Sequence, residues 1–161
     1  MNIYIETDTA GVRKQYRGYG VMLECTKADG DLHNSDDYGL EEATANQIML
    51  IALIDAFRHM KRPSDITVYI EHPNQYVTEN ICNGRIYEWL ANGWKNAKNE
   101  PIANAEEWRE LTGLLAEHQI TFVCKKEHSY KKLMQSRIKK IKDQGVAWKQ
   151  QRLDGGIQNN E

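Results

Sequence analysis

The sequence predicts an α/β layer domain built on a mixed sheet, and three observations carry that prediction. Predicted elements follow the order three strands, helix, strand, helices, strand, helix, a mixture that fits helices packed on both faces of one sheet. One helix carries the run Ile48 to Ile54, apolar nearly all round, which requires cover on more than one side. The length, 161 residues, suits one domain with a sizeable core and leaves little room for a second.

Taken in order, Ile3 to Asp8 alternates as a strand and Tyr19 to Thr26 reads as another, joined as a hairpin through a loop containing Gly and Arg. A polar, Asp-rich turn is expected from Lys27 to Asp37, with a short third strand around Tyr38 to Glu42. Thr44 and Gln47 fit a capping box at the start of the buried helix, which is expected to end near Pro63. Ile66 to Ile70 is β-branched and short, and Glu71-His72-Pro73 turns the chain out of it. Helical spacing runs from Asn74 to Leu90 through Val77, Ile81 and Trp89, with Gly84 as a break. Asn104 to Glu117 reads as an amphipathic helix and Gln119 to Lys125 as a last strand. The final helix places Lys131, Lys132, Arg137, Lys139, Lys140 and Lys142 around Leu133, Met134, Ile138 and Ile141, so one face packs and the other is positive. These elements predict a domain over 1–153 and a disordered tail over 154–161.

Hydrophobic residues at 40% and charged residues at 27% are ordinary for a soluble protein, and no apolar run reaches the roughly 18 residues of a membrane span. The chain opens on a strand pattern where a signal peptide would need a basic stretch and an apolar block, which predicts a cytoplasmic location. Cys25, Cys82 and Cys124 are far apart and form no CxxC pair, so core packing is expected of them in place of a disulfide or zinc site. Net charge is −2, yet residues 125–152 carry ten Lys or Arg against Glu127 and Asp143. Such a stretch attracts polyphosphate backbones by counterion release, or is simply a solvated helix face.

Several blocks are more specific. Ile5-Glu6-Thr7-Asp8, Gly18-Tyr19-Gly20, Thr44-Ala45-Asn46-Gln47, Asn74-Gln75-Tyr76-Val77, Asn92-Gly93-Trp94-Lys95-Asn96 with Pro101-Ile102-Ala103-Asn104, Glu107-Trp108-Arg109-Glu110-Leu111 and His118-Gln119-Ile120-Thr121 follow in order. In order and spacing they resemble type I ribonuclease H over residues 3–142. The resemblance implies a ribonuclease H-like, five-stranded mixed sheet flanked by helices, and an endonuclease that cuts the RNA strand of an RNA/DNA hybrid with two Mg²⁺ ions. Two such cations about 3.5 to 4 Å apart need several carboxylate oxygens to hold them.

The carboxylates that the resemblance asks for are only partly present. Asp8 falls on the aspartate of the first strand, although Thr9-Ala10-Gly11 departs from the usual Gly-Ser or Gly-Ala after it. The glutamate expected in the first turn of the buried helix lands on Met49, whose thioether is a poor ligand for a hard cation. Glu71 stands at the second aspartate, in a turn two residues longer than the family's; a longer glutamate there could still reach a metal, and an ordinary strand-end charge is an equal reading. The last aspartate lands near Ile138, and no Asp or Glu lies between His128 and Asp143. His128 matches the histidine of a mobile family loop, implied to assist proton transfer or product departure, though Glu127 replaces the glycine before it. Asp8, Glu71 and His128 are thus the implied catalytic residues, and Asp8 and Glu71 the implied metal ligands.

For binding, Asn46 and Gln75 match positions that touch the hybrid's minor groove or backbone, or else serve as helix-start and turn hydrogen-bonders. Trp94 lies where the family carries a substrate-binding protrusion, shorter and less basic here, and is either a contact or core; Trp89 is expected in the core. Lys131, Lys132 and Lys139 of the final helix complete the expected nucleic-acid surface. The predicted function is a ribonuclease H-like protein that binds RNA/DNA hybrid or another duplex, with lost or much reduced hydrolysis and no cofactor. One alternative is an active endoribonuclease using Mg²⁺ or Mn²⁺. Another is a protein-interaction module, which would show an exposed apolar patch and salt-insensitive association with a partner whose identity the sequence leaves unknown.

Overall fold

The computed structural model describes residues 1–8, 10–71 and 75–159, with side chains among them except at 75 and 146–159. Five strands, β1 (Asn2–Thr7), β2 (Gln15–Thr26), β3 (Leu32–Ala43), β4 (Asp65–Ile70) and β5 (Gln119–Cys124), form one sheet in the order β3-β2-β1-β4-β5. The first three are antiparallel neighbours, while β4 runs parallel to both β1 and β5. This is the mixed five-stranded sheet that the element order predicts.

Alternation along β1 divides the core in two. Ile3 and Ile5 face α1 (Ala45–Arg58) together with Val21 and Leu23, and α1 is covered in turn by α4 (Ala105–Leu115). Cover on both sides explains the all-round apolar run: Ile48, Met49, Leu50, Ala52, Leu53, Ile54, Ala56 and Phe57 are buried. Tyr4 and Met22 face the other way, onto Met134 of α5 (Lys131–Asn159). Gly18 is what lets α5 come down on the sheet, because a Cβ there would stand 2.6 Å from Ile138 Cγ2. Helices α2 (Gln75–Cys82) and α3 (Arg85–Ala91) are separated at Gly84, whose φ of 77° is a left-handed conformation that favours glycine.

Several expectations need correction. The third strand begins at Leu32, because the turn closes within Lys27 to Asp31 and the polar residues 33–37 pair with 21–25 of β2. Helix α1 ends at Arg58 rather than near Pro63. Its capping box is half made: Thr44 accepts from the Gln47 N–H at 3.2 Å, but the Gln47 side chain donates to Glu107. Cys82 and Cys124 are exposed and Cys25 half-buried, so none is a packed core residue. Leu133 is exposed and does not belong to the packed face of α5. Helix α5 is described to Asn159, and residues 160–161 lie outside the described residues, so the expected division at 153 stays an expectation.

Candidate carboxylate groove

Parallel pairing of β1 with β4 matches Ile5 to Ile70, so the next residues along, Glu6 and Glu71, stand side by side where that pairing ends. Asp8 has the same parity as Glu6 and lies just past the strand, its N–H bonded to the Gly18 carbonyl at 2.9 Å. From β1 the chain goes to β2 on one side, while β4 lies on the other. That is the kind of crevice at strand carboxyl ends where open α/β sheets bind ligands. Glu6, Thr7, Asp8 and Glu71 line a groove of about 280 Å³ there, closed opposite by Gln135, Ile138, Lys139 and Lys142 of α5.

Two ammonium groups of α5 reach these carboxylates. Lys142 Nζ donates to Asp8 Oδ2, and Lys131 Nζ stands 3.4 Å from Glu71 Oε2 while also donating to the Lys126 carbonyl. Lys131 is only 8% exposed, which a charge tolerates when it is paired in this way. Positions 135, 138, 139 and 142 of the far wall recur at helical spacing, and Lys131 precedes them on the same stripe of α5.

Glu6 is buried and bonded to His128, with Oε1 at 3.1 Å from Nε2. The Tyr130 backbone N–H points at His128 Nδ1, which must therefore accept, leaving the proton on Nε2 to be donated to Glu6. Burial pushes the Glu6 carboxyl up to about 7, partly opposed by Lys131 and reinforced by Glu71 and Glu127. Burial likewise lowers His128, helped by Lys131 and Lys125. His128 is packed against the Tyr4 ring at 4.9 Å between centroids. It is a fixed partner of Glu6 rather than an open loop residue.

Arg17 of β2 fixes the loop that follows Asp8. It is fully buried, and its guanidinium donates to five carbonyls: Ala43, Asp8, Ala10, Gly11 and Arg13, at 2.8 to 3.1 Å. Five donors meet five acceptors, so the group is satisfied without a carboxylate, and the Asp8 backbone is held from both sides.

The structure gathers only some of the predicted site residues. Asp8, Glu71 and Lys139 line the groove, His128 adjoins it through Glu6, and Lys132 is exposed on the outer face of α5. Lys131 turns inward to Glu71, which corrects its placement on a solvent-facing surface. Trp94 is 4% exposed and packs in the core, so its ring is not offered to a ligand. Asn46 is half-buried in the first turn of α1, and Gln75 begins α2 with a side chain outside the described ones. The sequence did not disclose Glu6, Arg17, Gln135 or the inward reach of Lys142. Strand parity with Asp8 was the available sign for Glu6.

On the opposite side of the sheet a second acidic cleft, of about 300 Å³, is lined by Tyr19, Asp37, Glu41, Asp55, Glu107 and Glu110 among others. Here Asp37, Asp55 and His59 bring ligand atoms within 4.8 Å of one another. Tyr19 donates to Asp55 Oδ2 at 2.9 Å, and burial, with the hydrogen bond and charge of Asp37, raises the Asp55 carboxyl.

Against known proteins, the family model for RNase H matches residues 1–136. The chain belongs to the ribonuclease H family. The Ribonuclease H of Roseobacter denitrificans is 38% identical over 113 residues, covering 70% of this chain and 73% of that protein. In fold the chain is similar to the crystal structure of a type 1 RNase H with the type 2 active-site motif. The TM-score is 0.64 at 22% identity, over 80% of this chain and 63% of the other. It is also similar to a foamy viral protease-reverse transcriptase in complex with RNA/DNA hybrid, with a TM-score of 0.54 at 16% identity, over 76% of this chain and 17% of the other.

Set beside the ribonuclease H resemblance, the groove does not fit a pair of divalent ions. Two of the four expected carboxylate positions hold apolar side chains: Met49 is 3% exposed in the α1 core, and Ile138 is 8% exposed against β2. Both carboxylates at the remaining positions, Asp8 and Glu71, carry lysine ammonium groups. Among the described residues, the only three potential ligands that converge are Asp37, Asp55 and His59 of the other cleft.

Proposed function

We propose that this protein binds RNA/DNA hybrid or a related duplex and has lost most or all of the hydrolytic activity of its family. One observation carries the proposal: of four expected carboxylates, two are replaced by buried Met49 and Ile138, and the other two are ion-paired to lysines. Loss of even one group that orients a reacting centre typically costs orders of magnitude in rate.

A nucleic-acid role is supported by the exposed lysines of α5, among them Lys132, Lys139 and Lys140, on the wall of the groove and the surface beside it. A solved structural neighbour holds RNA/DNA hybrid. Among the described residues no helix is long and apolar enough to cross a membrane, and the three thiols are free.

Binding is tested by the fluorescence anisotropy of a labelled hybrid across a salt series. The expected result is an affinity that falls steeply with salt, since several phosphate contacts each release a counterion. An affinity independent of salt, or none at all, would contradict it and favour the protein-interaction alternative.

A second reading, a slow ribonuclease H using Mg²⁺ or Mn²⁺ at Asp8 and Glu71, draws support from the 38% identity to a relative named Ribonuclease H. The two differ in one outcome, metal-dependent cleavage that requires Asp8.

A further inference from the structure

Family resemblance places divalent cations between the ends of β1 and β4, and the structure places lysine nitrogens there instead. Lys142 Nζ donates to Asp8 Oδ2, and Lys131 Nζ lies 3.4 Å from Glu71 Oε2 and 3.8 Å from Glu127 Oε1. Each lysine comes from the same stripe of α5 that carries Ile138, the residue standing where the last carboxylate is expected. The replacement is therefore concerted within one helix: a ligand is gone, and cations arrive one turn after it and two turns before it. A protonated amine satisfies a carboxylate's charge and one lone pair, and being covalently tethered it is not diluted away.

The carboxylates of the groove are matched by ammonium groups as a result. Asp8 and Glu71 face three ammonium groups, those of Lys131, Lys139 and Lys142. Glu6, at the back of the groove, is occupied by its own partner, His128, whose Nε2 stands 3.1 Å from Oε1. Lys139 has an exposed side chain on the groove wall and Lys142 is about one-third exposed, so both are within reach of a ligand. An anion meets lysines beside ion-paired carboxylates where a metal-free family site would present bare carboxylates.

We propose that Lys131 and Lys142 act as tethered counter-cations in the carboxylate groove, excluding divalent ions from it, and that with Lys139 they make it a phosphodiester-binding site that works without metal. This deepens the binding function proposed above, and rests on it for the identity of the ligand. The exclusion of metal from the groove stands independently of it.

Two measurements on the full chain test this. In the first, Mn²⁺ is titrated into the wild type and into Asp8→Asn, with free Mn²⁺ followed by electron paramagnetic resonance. Because Asp37, Asp55 and His59 form a separate cluster, the comparison between the two proteins is what localises any signal. The expected result is superimposable isotherms; a Mn²⁺ site in the wild type that Asp8→Asn removes would overturn the proposal, whether or not the protein binds nucleic acid.

In the second, anisotropy of a labelled RNA/DNA hybrid is compared in EDTA and in Mg²⁺ at matched ionic strength. Affinities within about twofold of each other are expected, with Lys142→Met binding more weakly and losing about one unit of salt slope. Affinity that depends on Mg²⁺ through Asp8 would overturn the metal-free site. Absence of all hybrid binding would sink the proposed function and the phosphodiester half of this inference together, leaving the Mn²⁺ comparison to decide the exclusion of metal.

Discussion

The two acidic clefts on opposite faces of the sheet are of similar size and differ in what neutralises them. Under α5, Asp8 and Glu71 are met by lysines and Glu6 by a histidine, and among the described residues no three potential ligands converge there. Beside α1, Asp37 and Asp55 do converge with His59, at positions to which the family resemblance gives no role. Acidity alone therefore says little about chemistry. Charge partners and convergence distinguish the two clefts: one pairs its carboxylates with lysines, the other gathers three potential ligands.

That contrast is broken most severely by removing what holds the groove in place. Arg17→Met deletes five donors to loop and strand carbonyls and leaves a buried polar pocket unfilled, so urea denaturation is expected to show a loss of about 3–5 kcal/mol. A change of a few tenths of a kcal/mol would show that the Asp8 loop does not depend on the clamp.

Next in size is Met49, which marks the boundary between the old site and the core. Met49→Ala should cost about 2–5 kcal/mol and Met49→Leu less than about 1.5 kcal/mol, as expected for core packing. Met49→Glu should destabilise strongly, because its charge would be buried without a partner. A Met49→Glu variant of undiminished stability would mean that the pocket still accepts a carboxylate.

A smaller effect sharpens the account of Glu6. Its carboxyl is raised from 4.5 to about 7 in the folded state, so its contribution to stability is full below pH 4.5 and is lost as pH rises through about 7. His128, lowered by burial, acts in the opposite sense, favouring the fold above its ordinary range and losing that contribution on acidification. Glu6→Gln keeps the shape of the protonated acid, should flatten the alkaline side of the Tm profile, and should raise Tm at pH 8 by roughly 3–6 °C. An unchanged profile would place Glu6 among ordinary carboxylates. The smallest expected effect is on binding: Lys139→Ala should weaken hybrid affinity by roughly tenfold at low salt and less at high salt, measured by anisotropy.

Much of the fold was legible because its signals are local. Strand alternation, the Gly84 break and the all-round apolar run of α1 each have a direct physical cause. The first half of β3 was not legible, since His33, Asn34, Ser35, Asp36 and Asp37 have weak strand preference and are held by pairing with β2. Asp8 and Glu71 could be placed by motif and strand end. Glu6 could not be told from a strand-edge charge until its register against Glu71 and the position of His128 were known. Lys131 and Lys142 looked like members of a solvated face because sequence gives helical spacing but not the rotation of α5 against the sheet. Trp94 looked free to contact a ligand because a buried tryptophan at φ 64° is set by the turn around it, which donates its N–H to Trp89 at 2.7 Å.

The most direct test of the central claim is cleavage of an end-labelled RNA/DNA hybrid by wild type and Asp8→Asn, purified side by side, in Mg²⁺ and in Mn²⁺ at protein excess. The expected result is intact RNA with both proteins and both metals, alongside retained binding by the wild type. RNA fragments produced by the wild type and lost in Asp8→Asn would contradict it, and would make Asp8 and Glu71 the core of a working, thinned ribonuclease H site.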